Sequence, residues 1–553
     1  MSATPPIPAL VSRDAARRLP RVALLLLCAA YVLPGVFGRD PWKNADLAAF
    51  GQMLAMAEGR SSWLAPTLAG LPADGAWLPH WLGAAAIVVG SPWLDPALAA
   101  RIPFALVLVL AMTAVWYSCF ALARTEAAQP LPFAFGGEAQ AVDYARAIAD
   151  ASILALIATL GLLQLGHETT PELAQLACVA SFQWALAAAP YRSLRSKAVL
   201  LVALPALAFS GAPAMAVLLG TAGTAICAQS QYEQVRRFTP WVAAAAVLAG
   251  GLAWAFDLWA WRVGRDFTAA SLPLILRQWL WFLWPAWPLA LWTLWRWRRH
   301  LQRRHLAVPI AVLLTALAAN VAMGGSDRAL MLGLPGIAVL AAFALPTLRR
   351  STGSAIDWFS VFFFTLSAIV IWVIYASMHT GVPAKPAANV ARLAPGYVPE
   401  FSATALVVAV LATLAWLWLV RWRTSRQQAA LWRSLVLPAG GVVLAWTLLM
   451  TLWLPLLDYA RSYRAHVSSL ARVIPAGACL AAPNLSRPLA AALEYHGRWR
   501  VDASPSAAQG PCPILILTVK VQAGPPAPDG WQRVAVERRP TDRDDLTVVF
   551  RRP

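Results

Sequence analysis

The feature that most constrains this chain is a series of apolar segments, each about 15 to 20 residues long, that recurs from residue 22 to residue 455. An α-helix of that length crosses the hydrocarbon core of a bilayer, which is about 30 Å thick. Hydrophobic residues make up 59% of the 553 residues and charged residues only 13%, whereas soluble domains carry about 25% charged residues. The sequence therefore predicts a polytopic α-helical membrane protein.

The first apolar segment is interpreted as a membrane span. It shows no obvious small-residue cleavage site and further spans follow it, so it does not fit a signal peptide. The apolar pattern predicts about thirteen spans, near residues 22–37, 98–122, 149–166, 172–190, 197–209, 212–229, 239–256, 278–295, 306–323, 329–346, 357–377, 403–420 and 433–455.

The basic residues indicate which loops lie on which side of the membrane. The formal net charge is +19, and the arginines form short clusters in alternate loops, which is the positive-inside pattern. An anionic lipid surface explains these clusters better than nucleic acid does, so no nucleic-acid partner is predicted. The pattern places an N-terminal tail, 1–21, in the cytoplasm. An odd number of spans in a domain of residues 22–455 then places residues 456–553 in the periplasm of a bacterial inner membrane.

The C-terminal tail is predicted to form a small α/β domain. The segments CLAAPNL, CPILILTVK, WQRVAVE and DLTVVFRR are typical of strands, and SRPLAAALEYHG is typical of a helix. Cys479 and Cys512 fall in this tail, where an oxidising compartment would permit a disulfide. Two free buried thiols are the alternative. The other four cysteines lie within or beside apolar segments, and no Cys/His cluster indicates zinc.

The first outer loop, residues 38–97, begins with the charged stretch G-R-D-P-W-K-N-A-D. Asp40 followed by Pro41 is a strong helix start, which predicts an amphipathic helix over 41–58 on the membrane face. Asp40 could act only as the helix cap. However, Asp40, Lys43 and Asp46 are spaced so that neighbouring pairs share a side of the helix start, which also makes them candidate functional groups.

Other outer loops carry further charged residues. His167 and Glu168 lie in a very short loop, where a charged pair is typical of a water-filled cavity. Arg262 and Arg265 lie in a tryptophan-rich loop, where interfacial anchoring is the alternative to a binding role. A carboxylate can take a proton from an acceptor hydroxyl, and an arginine can bind a phosphate through two hydrogen bonds. Arg328 follows Asp327 and would form either a local ion pair or a second phosphate contact.

These residues resemble the GT-C glycosyltransferases of the ArnT and protein O-mannosyltransferase type. The family's first outer loop typically starts R-D-E-x-R-Y-A-E, and this chain has R-D-P-W-K-N-A-D at 39–46. The resemblance implies that Asp40 is the catalytic aspartate, that Lys43 replaces an arginine, and that Asp46 is a second acid. The segment SSWLAPTLAG at 61–70 is similar to the family's G-x-W-L-x-P-x-L-x-G.

Further segments extend the resemblance, with two departures. The family's E-K-P-P-L-x-Y-W-L corresponds to D-G-A-W-L-P-H-W-L at 74–82, so Asp74 matches and the donor-binding lysine becomes Gly75. Lys43, His80 or an arginine would have to replace that lysine. Glu168 or His167 stands where the family has a second acidic residue. The segment SDRALMLGLPGIAVLAA at 326–342 resembles a further span but lacks the family's tyrosine, and WLPLLDYARSYR at 453–464 resembles the entry into the periplasmic domain.

The resemblance implies an inverting transfer of a sugar from a polyprenyl-phosphate donor to a lipid, glycan or protein acceptor such as lipid A. The implied donor-phosphate contacts are Lys43, Arg262, Arg265 and Arg328, and a divalent cation is an open possibility. One alternative is a transporter or flippase, although charges within spans are scarce and no internal repeat is visible. A catalytically weakened relative, indicated by Gly75, is the other alternative.

Overall fold

The computed structural model describes residues 8–72, 75–133, 135–259, 271–425, 430–521 and 528–552. The first part of the chain is helical: α1 (Arg21–Val32), α2 (Ala45–Ala57), α3 (Trp77–Gly90), α4 (Pro96–Ala123), α5 (Ala141–Ala158), α6 (Leu160–Leu165), α7 (Pro171–Ala188), α8 (Ser193–Phe209), α9 (Pro213–Ala228), α10 (Glu233–Arg236) and α11 (Thr239–Ala255). A short hairpin, β1 (Thr67–Leu68) and β2 (Leu71–Pro72), precedes α3.

The helical bundle continues with α12 (Leu272–Phe282), α13 (Ala286–Arg296), α14 (Arg304–Ala322), α15 (Asp327–Met331), α16 (Leu334–Ala344), α17 (Arg350–Thr380), α18 (Ala384–Leu393), α19 (Ala403–Thr424), α20 (Arg433–Leu449) and α21 (Leu454–Arg461). Each predicted span contains a helix. Within the described ranges, five helices are long and apolar enough to cross a membrane alone, or six if α20 and α21 form one bent span. The total of thirteen stays a prediction.

Several predicted spans are divided between two helices, and two of them are broken at neighbouring points of the structure. The segment 149–166 is interrupted at Thr159, and the segment 278–295 is interrupted before α13. Pro285 at the second break has no N–H and cannot continue the helical hydrogen-bond ladder. The two breaks face each other, because the Leu160 N–H donates to the Trp284 carbonyl oxygen at 3.0 Å. Each break thereby satisfies a backbone group that the other exposes.

The centre of the bundle is α16, in which every residue is buried. Its sequence is apolar on all sides, which is typical of a helix surrounded by other helices. Gly336 allows α14 to come close, because a Cβ at this position would overlap the Pro309 carbonyl oxygen. In contrast, α18 in the outer loop has no buried residue and places Lys385, Asn389 and Arg392 on one side by their spacing.

The helix of the first outer loop differs from the prediction. It begins at Ala45 rather than at Pro41, and its N-cap residue is Asn44, so Asp40 does not cap it. All but three of its residues are buried, so other parts of the protein cover most of its surface. Gly51 packs so closely on Ala491 that a Cβ would overlap the alanine side chain. Small and apolar residues on every side explain why both flanks of α2 are covered.

The chain leaves the last span through a bend of 72° between α20 and α21. The remaining elements are α22 (Arg464–Leu470), β3 (Cys479–Ala481), α23 (Arg487–Gly497), β4 (Arg500–Asp502), β5 (Ile514–Lys520), β6 (Gln532–Glu537) and β7 (Asp545–Arg551). They form the predicted α/β domain, with strand order β4-β3-β5-β7-β6. Strands β4 and β5 run parallel to β3, whereas β7 is antiparallel to β5 and β6.

The C-terminal domain packs onto the first outer loop. Helix α23 lies against α2, where Phe50 makes an edge contact with Tyr495. The structure joins Cys479 on β3 to Cys512 before β5 in a disulfide, with Cα atoms 5.0 Å apart. This bond joins β3 to the segment that precedes β5, its parallel neighbour in the sheet.

Candidate active site

Asp40 lies in the loop between α1 and α2, where its carboxylate is held by the C-terminal domain. Arg464, the first residue of α22, donates from Nε to Asp40 Oδ2 at 2.8 Å and from a terminal nitrogen to Oδ1. Burial raises the pKa of Asp40, but the hydrogen bonds and charge of Arg464 outweigh it and hold the pKa below its ordinary value. Asp40 is therefore ionised, and it is 8% exposed.

A second carboxylate, Asp458 on α21, lies beside Asp40. Its Oδ1 accepts from the indole Nε1 of Trp42 at 2.7 Å, and its Oδ2 accepts from the Asp40 backbone N–H at 3.3 Å. Burial raises the pKa of Asp458 to about 7, the Trp42 hydrogen bond opposes this, and the Asp40 charge adds to it. Two adjacent carboxylates whose pKa values are pushed apart are typical of acid–base sites.

Asp46 forms the structural connection between the first outer loop and the loop before α7. Its Oδ1 accepts from the backbone N–H of Thr169 at 2.7 Å and from its hydroxyl at 2.9 Å. Its Oδ2 accepts from the Trp42 N–H at 3.1 Å and from Arg39 at 3.4 Å. Burial alone would raise the pKa of Asp46. The positive charges of Arg39 and Arg101 lower it by more, so the pKa lies below its ordinary value. Four donors saturate this carboxylate, which leaves little capacity for a substrate.

His167 is enclosed by backbone carbonyls and aromatic rings. Its Nδ1 lies 2.7 Å from the Leu163 carbonyl oxygen, and its Nε2 lies 2.8 Å from the Tyr31 carbonyl oxygen. The imidazole ring also packs on Tyr31 and Trp446. Arg39 donates to the His167 carbonyl oxygen at 2.6 Å. The structure thus gives His167 a role in joining α1, α20 and the loop before α7.

Glu168 and Arg328, which the sequence places far apart, form an ion pair. Arg328 donates to Glu168 Oε2 at 2.6 Å and to Glu172 Oε2 at 3.3 Å. The side-chain amide nitrogen of Gln164 donates to the other oxygen of Glu168 at 2.8 Å, and Arg461 donates to Gln164 Oε1 at 2.6 Å. The local ion pair with Asp327, one of the two earlier alternatives, is not formed in the described residues, because Arg328 pairs with Glu168 and Glu172 instead.

Lys43 lines a cavity of about 440 Å³ between the first outer loop and the C-terminal domain. The cavity is lined by Trp42, Lys43, Asn44, Gln164, Ala460, Arg461, Arg539 and Thr541. This set is called the basic cleft below. An adjoining cavity of about 380 Å³ shares Arg539 and Thr541 with it and extends towards Arg392 and Arg543. Sequence reasoning missed Arg461 and Arg539, although Arg461 is part of the D-Y-A-R-S-Y-R segment that follows the last span.

The remaining predicted site residues are placed as follows. His80 is buried on α3. Asp74, Arg262 and Arg265 lie outside the described residues. Gly75 packs beside Leu258, and a Cβ at Gly75 would make an ordinary contact of 3.7 Å. Packing at the Cβ position therefore does not explain why glycine replaces lysine here.

The carboxylates considered for a divalent cation do not form a ligand set. Asp40, Asp46 and Glu168 each pair with an arginine. Across the part of the chain that the structure describes, no group of three or more His, Cys, Asp or Glu residues could hold a metal ion.

A multi-pass helical bundle with its charged site at one face and a small sheet domain over that site is the architecture of the GT-C glycosyltransferase fold. Two solved structures share it. They are ArnT from Cupriavidus metallidurans bound to undecaprenyl phosphate, with a TM-score of 0.61, and the same protein in the apo state, with a TM-score of 0.59. The first alignment covers 96% of this chain and 98% of that chain, the second 96% and 97%, and both have 14% sequence identity.

At this identity the likeness establishes the fold, and the fold predicted from the sequence is confirmed. No protein-family model matches the chain, and no curated protein matches it. The residues of the site therefore carry the functional argument, within the frame that the shared fold provides.

Proposed function

We propose that this protein transfers a sugar from a polyprenyl-phosphate-linked donor to an acceptor at the periplasmic face of a bacterial inner membrane. The acceptor classes are lipid A, another lipid or glycan, and a protein hydroxyl. The observation that carries the proposal is the pairing of an ionised carboxylate, Asp40, with a neighbouring cleft of basic residues, in the fold of a protein that binds undecaprenyl phosphate. The N-terminus is assigned to the cytoplasm and the C-terminus to the periplasm.

In the proposed reaction, Asp40 takes a proton from the acceptor or orients it for attack on the anomeric carbon. Proton transfer of this kind contributes about 10²–10⁴-fold to a rate. Arg464 must release one oxygen of Asp40 for this step, and its side chain is 63% exposed, so it has room to move. A single displacement inverts the anomeric centre, and the phosphate departs with its negative charge.

Cations at the departing phosphate supply the second part of the catalysis, because they stabilise charge that develops in the transition state. Lys43 is the cation of the basic cleft that was expected from the sequence. Arg262 and Arg265 remain proposed donor contacts. Arg328 is assigned an indirect role, because it pairs with Glu168 and Glu172 and positions the loop before α7. Asp46 and Glu168 likewise support the site without touching the substrate.

The test is complementation of a deletion strain. Wild-type protein, Asp40→Asn and Asp544→Asn are compared by mass spectrometry of lipid A, surface glycans and periplasmic proteins. Asp544 is an exposed carboxylate of the C-terminal domain and serves as the matched control. We expect a sugar that is missing in the deletion strain to return with wild type and Asp544→Asn, and to fall at least about 10²-fold with Asp40→Asn.

Full restoration of the sugar by a well-folded Asp40→Asn protein would refute the assigned role of Asp40. Unchanged glycans in the deletion strain, with altered flux of a lipid across the membrane, would instead support the transporter alternative.

A further inference from the structure

We infer that the basic cleft binds a phosphate ester, and that the C-terminal domain completes this anion site by supplying Arg539 next to Lys43 and Arg461. The inference rests on the proposed function, because it identifies where a phosphate-bearing substrate is held. It goes beyond it by assigning a binding role to the tail of the chain.

The cations of the basic cleft differ from the other arginines of this face in their pairing. Lys43, Arg461 and Arg539 have no carboxylate within ion-pair distance in the described part of the chain, whereas Arg328 and Arg464 at the same face are paired. Arg461 donates to the neutral amide of Gln164 at 2.6 Å. Arg539 donates to the Ala460 carbonyl oxygen at 3.2 Å and to the Thr541 hydroxyl at 3.0 Å. Three positive charges therefore converge, with Asp542 nearby but with no carboxylate in ion-pair contact among the described residues.

Arg539 is buried although it carries a charge. Its residue surface is 5% exposed, and its Nε has no hydrogen-bond partner in the described residues. Burying a charged donor without a partner is costly. Partial burial lowers the pKa of Lys43, and the nearby charges of Arg539 and Arg461 lower it further, against the opposing effect of Asp542. A bound anion would accept a hydrogen bond from Arg539 Nε and would offset the repulsion between Lys43 and the two arginines.

The basic cleft lies close to Asp40 and Asp458. Trp42 separates it from the two carboxylates: the indole nitrogen of Trp42 donates to Asp458, and Arg461 stacks over the ring at 5.0 Å. The backbone N–H of Lys43 also donates to the Arg461 carbonyl oxygen at 2.8 Å. This hydrogen bond attaches the loop segment that carries Asp40 to α21. The anion site and the proposed base are therefore neighbours on one segment, which is hydrogen-bonded to α21.

The chemistry of the lining selects the ligand. Two arginines and one lysine suit a doubly charged tetrahedral group, because the planar guanidinium matches a pair of phosphate oxygens. A metal ion would be repelled by the same residues. The volume of about 440 Å³ has room for a phosphate with part of an attached sugar or lipid.

The experiment measures binding by the full-length protein in nanodiscs, with no sugar transfer involved. One arm titrates inorganic phosphate in discs of neutral lipid, and the other titrates polyprenyl phosphate incorporated in the discs. The variants are Lys43→Glu and Arg539→Gln. The matched control is Lys385→Glu, an exposed outer-loop lysine on α18. We expect both cleft variants to weaken binding at least tenfold and Lys385→Glu to bind like wild type.

The two arms distinguish the sources of the phosphate. Weakened binding of polyprenyl phosphate alone supports a lipid-linked ligand, and weakened binding of inorganic phosphate as well supports recognition of the phosphate group itself. Equal binding by Lys43→Glu and wild type in both arms, or no binding by wild type, would overturn the inference. Asp40→Asn should bind phosphate like wild type, because Asp40 is not part of the basic cleft. If instead the wild-type protein binds phosphate at the cleft but transfers no sugar, the proposed function is refuted and the inference stands.

Discussion

At the scale of single residues, the candidate base is defined by partners that lie far from it in the sequence. Asp40 is separated by 424 residues from Arg464 and by 418 from Asp458. Arg464 lowers the pKa of Asp40 and keeps this carboxylate ionised, whereas the pKa of Asp458 is raised. The properties of the first outer loop are therefore set by the residues that follow the last span.

Arg464→Ala should move the acidic limb of the pH–activity profile to higher pH. The reason is that Asp40 loses the hydrogen bonds and the positive charge that lower its pKa, while its burial remains. The profile of kcat/KM against pH measures the shift. Arg472→Ala, at an exposed arginine close in sequence, is the control and should keep the wild-type profile. An unchanged acidic limb in Arg464→Ala would show that Asp40 does not control this limb.

Asp458→Asn should make stability less dependent on pH. The pKa of Asp458 is raised from 3.8 to about 7, so the folded protein holds a proton that the unfolded chain releases between these values. Stability from this group is complete below about pH 4 and is lost as the pH rises towards about 7. Thermal unfolding at pH 5 and pH 8 measures the difference. Asp544→Asn should behave like wild type, and an equal pH dependence in Asp458→Asn would contradict the assignment.

At the scale of elements, α2 is the connection between the bundle and the C-terminal domain. Gly51→Ala should lower stability by about 1–3 kcal/mol, because the new methyl group overlaps Ala491 on α23. Gly251→Ala on α11 is the matched control, since nothing lies within 4 Å of its Cβ position. That change should be neutral or stabilise by about 0.5–1 kcal/mol. Thermal unfolding compares the two, and equal effects would show that α2 and α23 do not approach this closely.

The elements also show what sequence patterns can predict. Long apolar segments predict the bundle helices because a helix surface that faces lipid and one that is buried in the core both require apolar side chains. The start of α2 was not predicted, because contacts between distant segments set it. The Asp46 carboxylate accepts hydrogen bonds from the backbone N–H groups of Trp42 and Thr169, and Asp40 does not cap the helix. Strand β4 was missed because it has only three residues, and two of them are charged.

The same limit applies to the site. Asp40 and Lys43 were predicted because a local motif carries them. The environment of Asp40 and the full basic cleft were not, because Arg464, Asp458 and Arg539 reach the first outer loop only through the packing of the C-terminal domain.

At the scale of the whole molecule, the disulfide is a marker for the side of the membrane on which the tail folds. The loop between Cys479 and Cys512 spans 33 residues, for which the entropic effect on stability is about 3–4 kcal/mol. Cys512→Ser should therefore make the C-terminal domain sensitive to protease, while Cys28→Ser, at an unpaired cysteine, should not. Equal protease resistance of the two variants, or a reduced Cys479 in wild-type protein, would contradict a periplasmic disulfide.

The long separation between Asp40 and Arg464 has a consequence for the order of synthesis. A ribosome that adds about 5–20 residues per second needs roughly 20 to 80 s to pass from one residue to the other. In the proposed topology the first outer loop crosses the membrane during that time, before Arg464, Asp458 and Arg539 have been synthesised. With this topology, a nascent chain inserts most of its bundle before the proposed site exists, and we expect the site to be assembled only when the C-terminal domain has been exported.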